Sequence, residues 1–197
     1  MARLPIEGEL GEGIWVTPHG AYGQARPDSA SGGCGIGVHP CVHWGVDLGA
    51  AVGTAVVAPE RGEVHYSMAS PMIPPLRGYQ PGAVLMRGVS GAWHVLGHLV
   101  NMTTGDHRAQ PTPQGGWTIV EEGEKLGEIG GAHHVHWEVR ADRFGTKVDP
   151  ATWLKLRGST DATMLKLLSK AGSSSAGDGD WLLLAAVGVA LYLATHD

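Results

Sequence analysis

Phenylalanine is almost missing from this chain, at one residue in 197. That scarcity does not exclude a core, because 43% of the residues are apolar. Basic residues are also few. Lysine and arginine total 14, no basic run stands out, and the formal net charge is -5. Nucleic acid is therefore excluded as the expected partner. The first seven residues, Met1-Ala2-Arg3-Leu4-Pro5-Ile6-Glu7, lack the apolar centre of a signal peptide. Secretion by the usual route is not expected. There are only two cysteines, Cys34 and Cys41. A disulfide between them would close a small loop and suit an oxidising compartment. Two separate thiols or a cysteine metal ligand are the alternatives, although no CxxC spacing supports the last.

Glycine and histidine are abundant, at 31 and 11 residues. The glycines, set among short β-branched runs, predict a turn-rich β protein. The histidines raise the prospect of metal or proton chemistry. The length suits one domain with appendages. Residues 1–40 read as a loop-rich segment with one short strand at 13–17. Strand signals follow at 54–58, 63–66, 83–87, 92–96, 117–120, 125–129 and 134–139. Gly88-Val89-Ser90-Gly91 makes a hairpin of the third and fourth. A proline-rich excursion occupies 68–82, and a polar loop 101–116. The expected fold is mainly β: two antiparallel β-sheets forming a groove, with a short C-terminal helix and a terminal apolar helix.

The domain proper is expected over 41–155. Asp149-Pro150-Ala151-Thr152 has the pattern of a capped helix start. A short helix is predicted within 156–171, and a flexible linker at 172–180. Residues 181–194 are apolar on every side. As a helix they would span ~21 Å, against ~30 Å of hydrocarbon. Length alone argues for burial. The preceding linker, the lack of a polar face and the aromatics Trp181 and Tyr192 near its ends argue for a membrane anchor.

Chemistry concentrates in two places. In an extended strand, His134 and His136 leave the same face. Upstream, His43-Trp44-Gly45-Val46-Asp47 supplies another imidazole and a carboxylate. The His-x-x-x-Asp spacing would fit a helix, but Gly45, Gly49 and Gly53 favour a loop running into a strand. Two histidines and one carboxylate form a common catalytic zinc set, with a fourth position open to water. Glu138 shares the face of His134 and His136 and could orient a ligand from behind.

With these pieces in order, the chain resembles the lysostaphin-type zinc endopeptidases, which cut the peptide part of bacterial peptidoglycan. The resemblance rests on His43-Trp44-Gly45-Val46-Asp47-Leu48, Gly53-Thr54-Ala55-Val56-Val57-Ala58-Pro59, Gly62-Glu63-Val64, Gly97-His98-Leu99, Gly123-Glu124-Lys125-Leu126-Gly127, His134-Val135-His136-Trp137-Glu138-Val139-Arg140 and Val148-Asp149-Pro150. It spans about residues 13–154. It implies a pair of antiparallel sheets with the site in a narrow groove. It also implies one Zn2+ held by His43, Asp47 and His136, with His98 and His134 as the two catalytic histidines. His134 is expected to act as base and His98 to stabilise the oxyanion. The chain departs from the family in a short segment before the His-x-His strand, Gly130-Gly131-Ala132-His133, and in the excursion at 68–82.

The leading expectation is a zinc endopeptidase acting on peptidoglycan peptides. It would be membrane-associated through 181–194, within a phage virion among other virion proteins, or else in a bacterial cell envelope. The rivals are a non-catalytic wall-binding or scaffold protein on the same fold, and a zinc hydrolase of another substrate such as a small amide. His94 and His133 are the nearest rivals to His98 and His134. Unbroken strand alternation would put His94 on the face of His98. His19, His39, His65, His107 and His196 are expected at the surface or in loops, with His39 close to His43. Trp44 and Trp137 are expected to pack.

Overall fold

The computed structural model describes residues 2–10, 13–18, 20–26, 41–69, 79–103, 107–108, 117–143 and 145–158. Cys34, and with it the question of a Cys34–Cys41 disulfide, lies outside them, as do residues 159–171 of the helix expected at 156–171, the linker at 172–180, the apolar segment 181–194, His19, His39 and His196. Among the described residues, no helix is long and apolar enough to cross a membrane.

The strands are β1 (Glu9–Leu10), β2 (Gly13–Val16), β3 (Ala25–Arg26), β4 (Cys41–Val42), β5 (Val46–Gly49), β6 (Ala55–Val57), β7 (Gly62–Ala69), β8 (Gly82–Gly88), β9 (Trp93–Gly97), β10 (Leu99–Val100), β11 (His107–Arg108), β12 (Thr118–Val120), β13 (Lys125–Ile129), β14 (His134–Arg140) and β15 (Lys147–Val148). One helix follows, α1 (Pro150–Leu156). The main sheet runs β1-β2-β5-β14-β9-β8-β7-β11, with β12 also on β7 and β15 also on β14. A second sheet runs β10-β13-β6, and β3 pairs with β4. All pairings are antiparallel except the short β1–β2 contact. The expectation of a mainly β chain with two antiparallel sheets and a short helix is met.

The central strand β14 shows how sequence sets the layers. Val135, Trp137 and Val139 alternate with His134, His136, Glu138 and Arg140, so one set must face away from the other. The first set is fully buried. It packs with Val46, Leu48, Val84, Met86 and Leu96 of the main sheet, and with Val56, Leu99, Leu126 and Ile129 of the second sheet. Helix α1 closes one end of this core. Asp149 caps it by accepting the Ala151 N–H at 3.0 Å, and Pro150 opens its first turn. Trp153 and Leu154 then reach the core, with the Trp153 ring edge-on to Trp137. The polar set of β14 occupies the other face of the sheet.

His94 belongs to the core, not to the site face. It pairs with Val139 across β9 and β14 and is fully buried. Its Nδ1 accepts the Trp137 indole N–H at 3.3 Å. Its Nε2–H donates to Glu60 at 2.9 Å. The expected alternation fails because β9 ends at Gly97 and His98 turns to φ 68°. That left-handed conformation brings the His98 ring beside His134 and His136 instead of onto the core face of His94 and Leu96. His65 is also buried rather than at the surface. It sits where the β7–β8 register shifts and stacks on Trp117, with ring centroids 4.1 Å apart.

Glu60 braces this core. Its carboxylate accepts from His94, from the Ser90 hydroxyl at 2.6 Å and from the Ser90 N–H at 3.0 Å. Burial works to raise the Glu60 pKa, but the bonds from His94 and Ser90 outweigh it and lower the value from its ordinary 4.5. A depressed carboxylate contributes stability above the unfolded pKa and loses it as pH falls toward the folded one. Glu60→Gln should therefore cost about 2 kcal/mol at neutral pH. It should also flatten the acid-dependent loss of stability below pH 4.5. Denaturant unfolding across that range measures both.

Candidate metal centre

Two strands and the segment before β5 assemble the cluster. β5 carries Asp47, and β14 carries His134 and His136. The His136↔Asp47 and His136↔Gly97 pairings set these residues in one row. His43 precedes β5 and is held by the loop at 20–24. The His43 N–H donates to the Gln24 carbonyl at 2.9 Å, and the Gly23 N–H donates to the His43 carbonyl at 2.8 Å. The Asp47 N–H donates to the Gly20 carbonyl at 2.7 Å.

His43, Asp47 and His136 are all buried and bring one ligand atom each into a cluster. His43 Nε2 stands 2.9 Å from His136 Nδ1 and 3.2 Å from Asp47 Oδ1. His136 Nδ1 stands 2.7 Å from the same oxygen. The outer nitrogens decide what these atoms are. His43 Nδ1 lies 3.1 Å from the Ala21 carbonyl, which can only accept, so Nδ1 carries the hydrogen. His136 Nε2 faces Glu138 Oε1 at 3.2 Å and donates to it. In their neutral forms both imidazoles therefore present lone pairs to each other and to a carboxylate. Three electron-rich atoms at such separations require a cation among them.

A proton on His136 answers part of that demand. Burial opposes it, but the bonds to Asp47 and Glu138 raise the His136 pKa. Burial likewise works against ionised Asp47, yet the His136 and His43 bonds hold it well below the usual carboxylate range. A metal ion would satisfy all three atoms. Ligands of a tetrahedral zinc stand roughly 3.3 Å apart, so a few tenths of an ångström of expansion would fit the ion. The donor set, two imidazoles and a carboxylate, is a zinc set.

Glu138 anchors the outer side of His136. Arg140 donates to its Oε2 through Nε at 2.8 Å and Nη2 at 2.6 Å, and Lys147 donates to the same oxygen. Burial would raise the Glu138 pKa, but the His136 bond and the cations hold it far below the ordinary range. The expectation from the shared strand face thus has a contact behind it.

His98 and His134 lie beside the cluster, ring centroids 4.9 Å apart. His98 Nδ1–H donates to the Gln80 carbonyl at 2.6 Å, and His134 Nδ1–H to the Ala132 carbonyl at 2.7 Å. His134 Nε2 lies 3.9 Å from Asp47 Oδ2. Burial, ahead of a raising contribution from Gln80, lowers the His98 pKa. His133, the rival to His134, is an exposed turn residue at φ 56°.

Several participants were not legible beforehand. Ala21, Gln80 and Ala132 act through backbone carbonyls, which no residue type signals. Tyr79 enters from the end of the proline-rich excursion and stacks on His136, centroids 5.0 Å apart. Trp44, expected to pack, is 48% exposed, with Tyr22 edge-on at 6.1 Å. It sits in the bend before β5, where neither sheet covers it. Trp137 packs as expected.

No family model matches the sequence, and no curated protein matches it. Solved structures do match. A zinc-containing peptidase from Vibrio cholerae is 16% identical, with a TM-score of 0.51 over 74% of this chain and 38% of that one. The SpoIIQ–SpoIIIAH pore-forming complex is 15% identical, with a TM-score of 0.51 over 89% of this chain and 98% of the matched one. The catalytic domain of the antimicrobial peptidase lysostaphin from Staphylococcus simulans is 21% identical, with a TM-score of 0.49 over 68% and 89%.

Gly45 offers a direct test of the centre. A Cβ there would lie 2.6 Å from His136 Nε2 and 2.7 Å from the Trp137 carbonyl oxygen. The carbonyl belongs to the central strand and cannot yield, so the segment at Gly45, which carries His43 two residues away, must move off β14 and the His136 ring. Gly45→Ala should destabilise the fold by about 1–3 kcal/mol. It should also remove most of any thermal stabilisation produced by added zinc, read by unfolding with and without the ion. The structural neighbours of this chain include lysostaphin-type peptidase domains, and what it shares with its neighbours is the fold.

Proposed function

We propose that this chain is a zinc-dependent endopeptidase that hydrolyses peptide bonds in bacterial peptidoglycan. The observation that carries the reading is the convergence of His43 Nε2, Asp47 Oδ1 and His136 Nδ1, each imidazole fixed from behind by an acceptor. The resemblance of the sequence motifs to the lysostaphin-type enzymes supplies the substrate class. Zinc held there would polarise a scissile carbonyl and lower the pKa of a water to about 7.

The chain's own residues then handle the proton. His134 holds its Nδ1 hydrogen on Ala132, so Nε2 can accept a proton from the attacking water. Once charged, it stands near the Asp47 carboxylate, which favours it as the carrier toward the leaving amine. His98, fixed on Gln80, can stabilise negative charge on the carbonyl oxygen when its Nε2 is protonated.

A second reading has a specific support: the same fold occurs in the pore-forming complex. A binding or scaffold protein would hold the wall without cutting it. Incubation with purified peptidoglycan separates the two. Cleavage should release new amino groups, stop with a chelator, return with zinc and be absent in His136→Ala. Zinc-loaded protein that binds the wall without releasing amines would establish the scaffold. His134→Ala should retain zinc while losing at least about 100-fold in turnover. Loss of metal in that variant would overturn the role given to His134.

Delivery within a phage particle, with residues 181–194 as a lipid tether, joins this activity to the apolar tail. Purified particles should then contain the protein. Its confinement to host envelopes would count against delivery but not against cleavage.

A further inference from the structure

Tyr79 and Gln80 bind the two halves of the site together. The Tyr79 ring lies nearly parallel to His136, at 24°, with centroids 5.0 Å apart. Its hydroxyl donates to Glu138 Oε1, the same oxygen that accepts from His136 Nε2. The space for the ring comes from Gly97. A Cβ there would fall 2.8 Å from the Tyr79 Cβ and Cδ1. The backbone of the pair serves the other histidine. The His98 N–H donates to the Tyr79 carbonyl at 3.2 Å, and its Nδ1–H donates to the Gln80 carbonyl.

We infer that Tyr79 is a positioning residue for the metal centre: it fixes the Glu138–His136 pair so that Nδ1 of His136 points at the ion, while the adjoining carbonyls fix His98. This rests on the zinc reading of the site. The sign of the effect follows from the charges around Glu138. Removing a donor from Oε1 could make the carboxylate a stronger partner for His136 and so tighten metal binding. Arg140 and Lys147 already hold Oε2, however, and two cations outweigh one neutral hydroxyl in setting the basicity of the group. What the hydroxyl adds is orientation. The direct partner behind a ligating histidine, here Glu138, commonly matters by roughly 10–100-fold in metal affinity, and the Tyr79 hydroxyl, acting through that carboxylate, belongs at the low end of that range.

The test is zinc affinity of the full chain, measured by competition with a chromophoric chelator. It is paired with the visible spectrum of the Co2+-substituted protein, which reports ligand geometry. Tyr79→Phe keeps the stacked ring and loses only the hydroxyl. It should bind zinc roughly tenfold more weakly than the parent and shift the Co2+ bands. Tyr79→Ala should bind more weakly still. Tyr66→Phe, on the distant part of the sheet, should leave both readouts unchanged. Tyr79→Phe binding zinc within twofold of the parent, with an unaltered Co2+ spectrum, would overturn the inference while leaving the zinc reading intact. A parent protein that takes up no zinc, or takes it up equally in His136→Ala, would overturn both. Thermal unfolding without metal keeps a folding defect distinguishable: the lost bond to a buried carboxylate should lower the midpoint of Tyr79→Phe by roughly several degrees, with the variant still fully folded at the assay temperature.

Discussion

The constraint on which the site depends is mutual repulsion. Two imidazole nitrogens and a carboxylate oxygen are held closer together than three acceptors tolerate without positive charge between them. Their outer atoms prevent the escape that ring flips would offer. Ala21 takes the His43 hydrogen, and Glu138 takes that of His136. The fold thus stores a demand for a cation, and the donor set decides which cation meets it best.

That arrangement is possible because the main sheet is covered on one face and chemically equipped on the other. Val135, Trp137 and Val139 fix the depth and register of β14 through burial. Once the register is fixed, His136 must stand beside Asp47 and Gly97. Each glycine near the site admits a different neighbour. Gly45 lets the chain approach His136, Gly97 admits Tyr79, and Gly49 leaves room for the Trp15 indole. Precision at the centre comes from strand pairing, and close approach comes from missing side chains.

The legible part of this design was the part encoded by period and residue type. The His-x-His strand, the β8–β9 hairpin and the Asp149-Pro150 helix start each carry a local signal, and each formed. The gathering of His43 and Asp47 beside them was read from a resemblance, since nothing local links positions almost ninety residues apart in sequence. The misread residues have physical reasons. His94 faces the core because its register in β9 sets it opposite Val139, and the left-handed residue at His98 takes only that later histidine out of the alternation. His65 is buried because a register shift in β7 turns it between Trp93 and Trp117. Tyr79 gave no signal at all, since its role arises only when the excursion returns across Gly97.

The two-sidedness of β14 has a consequence for how such a protein can change over generations. Odd-numbered positions from 135 to 139 face the packed core, and even-numbered ones from 134 to 140 face the side that carries the candidate site. Drift in the second set need not disturb the first. Substitution at His136 or Asp47 would remove the candidate cation site and leave the packed face of β14 in place. An architecture that separates its obligations so cleanly lends itself to reuse.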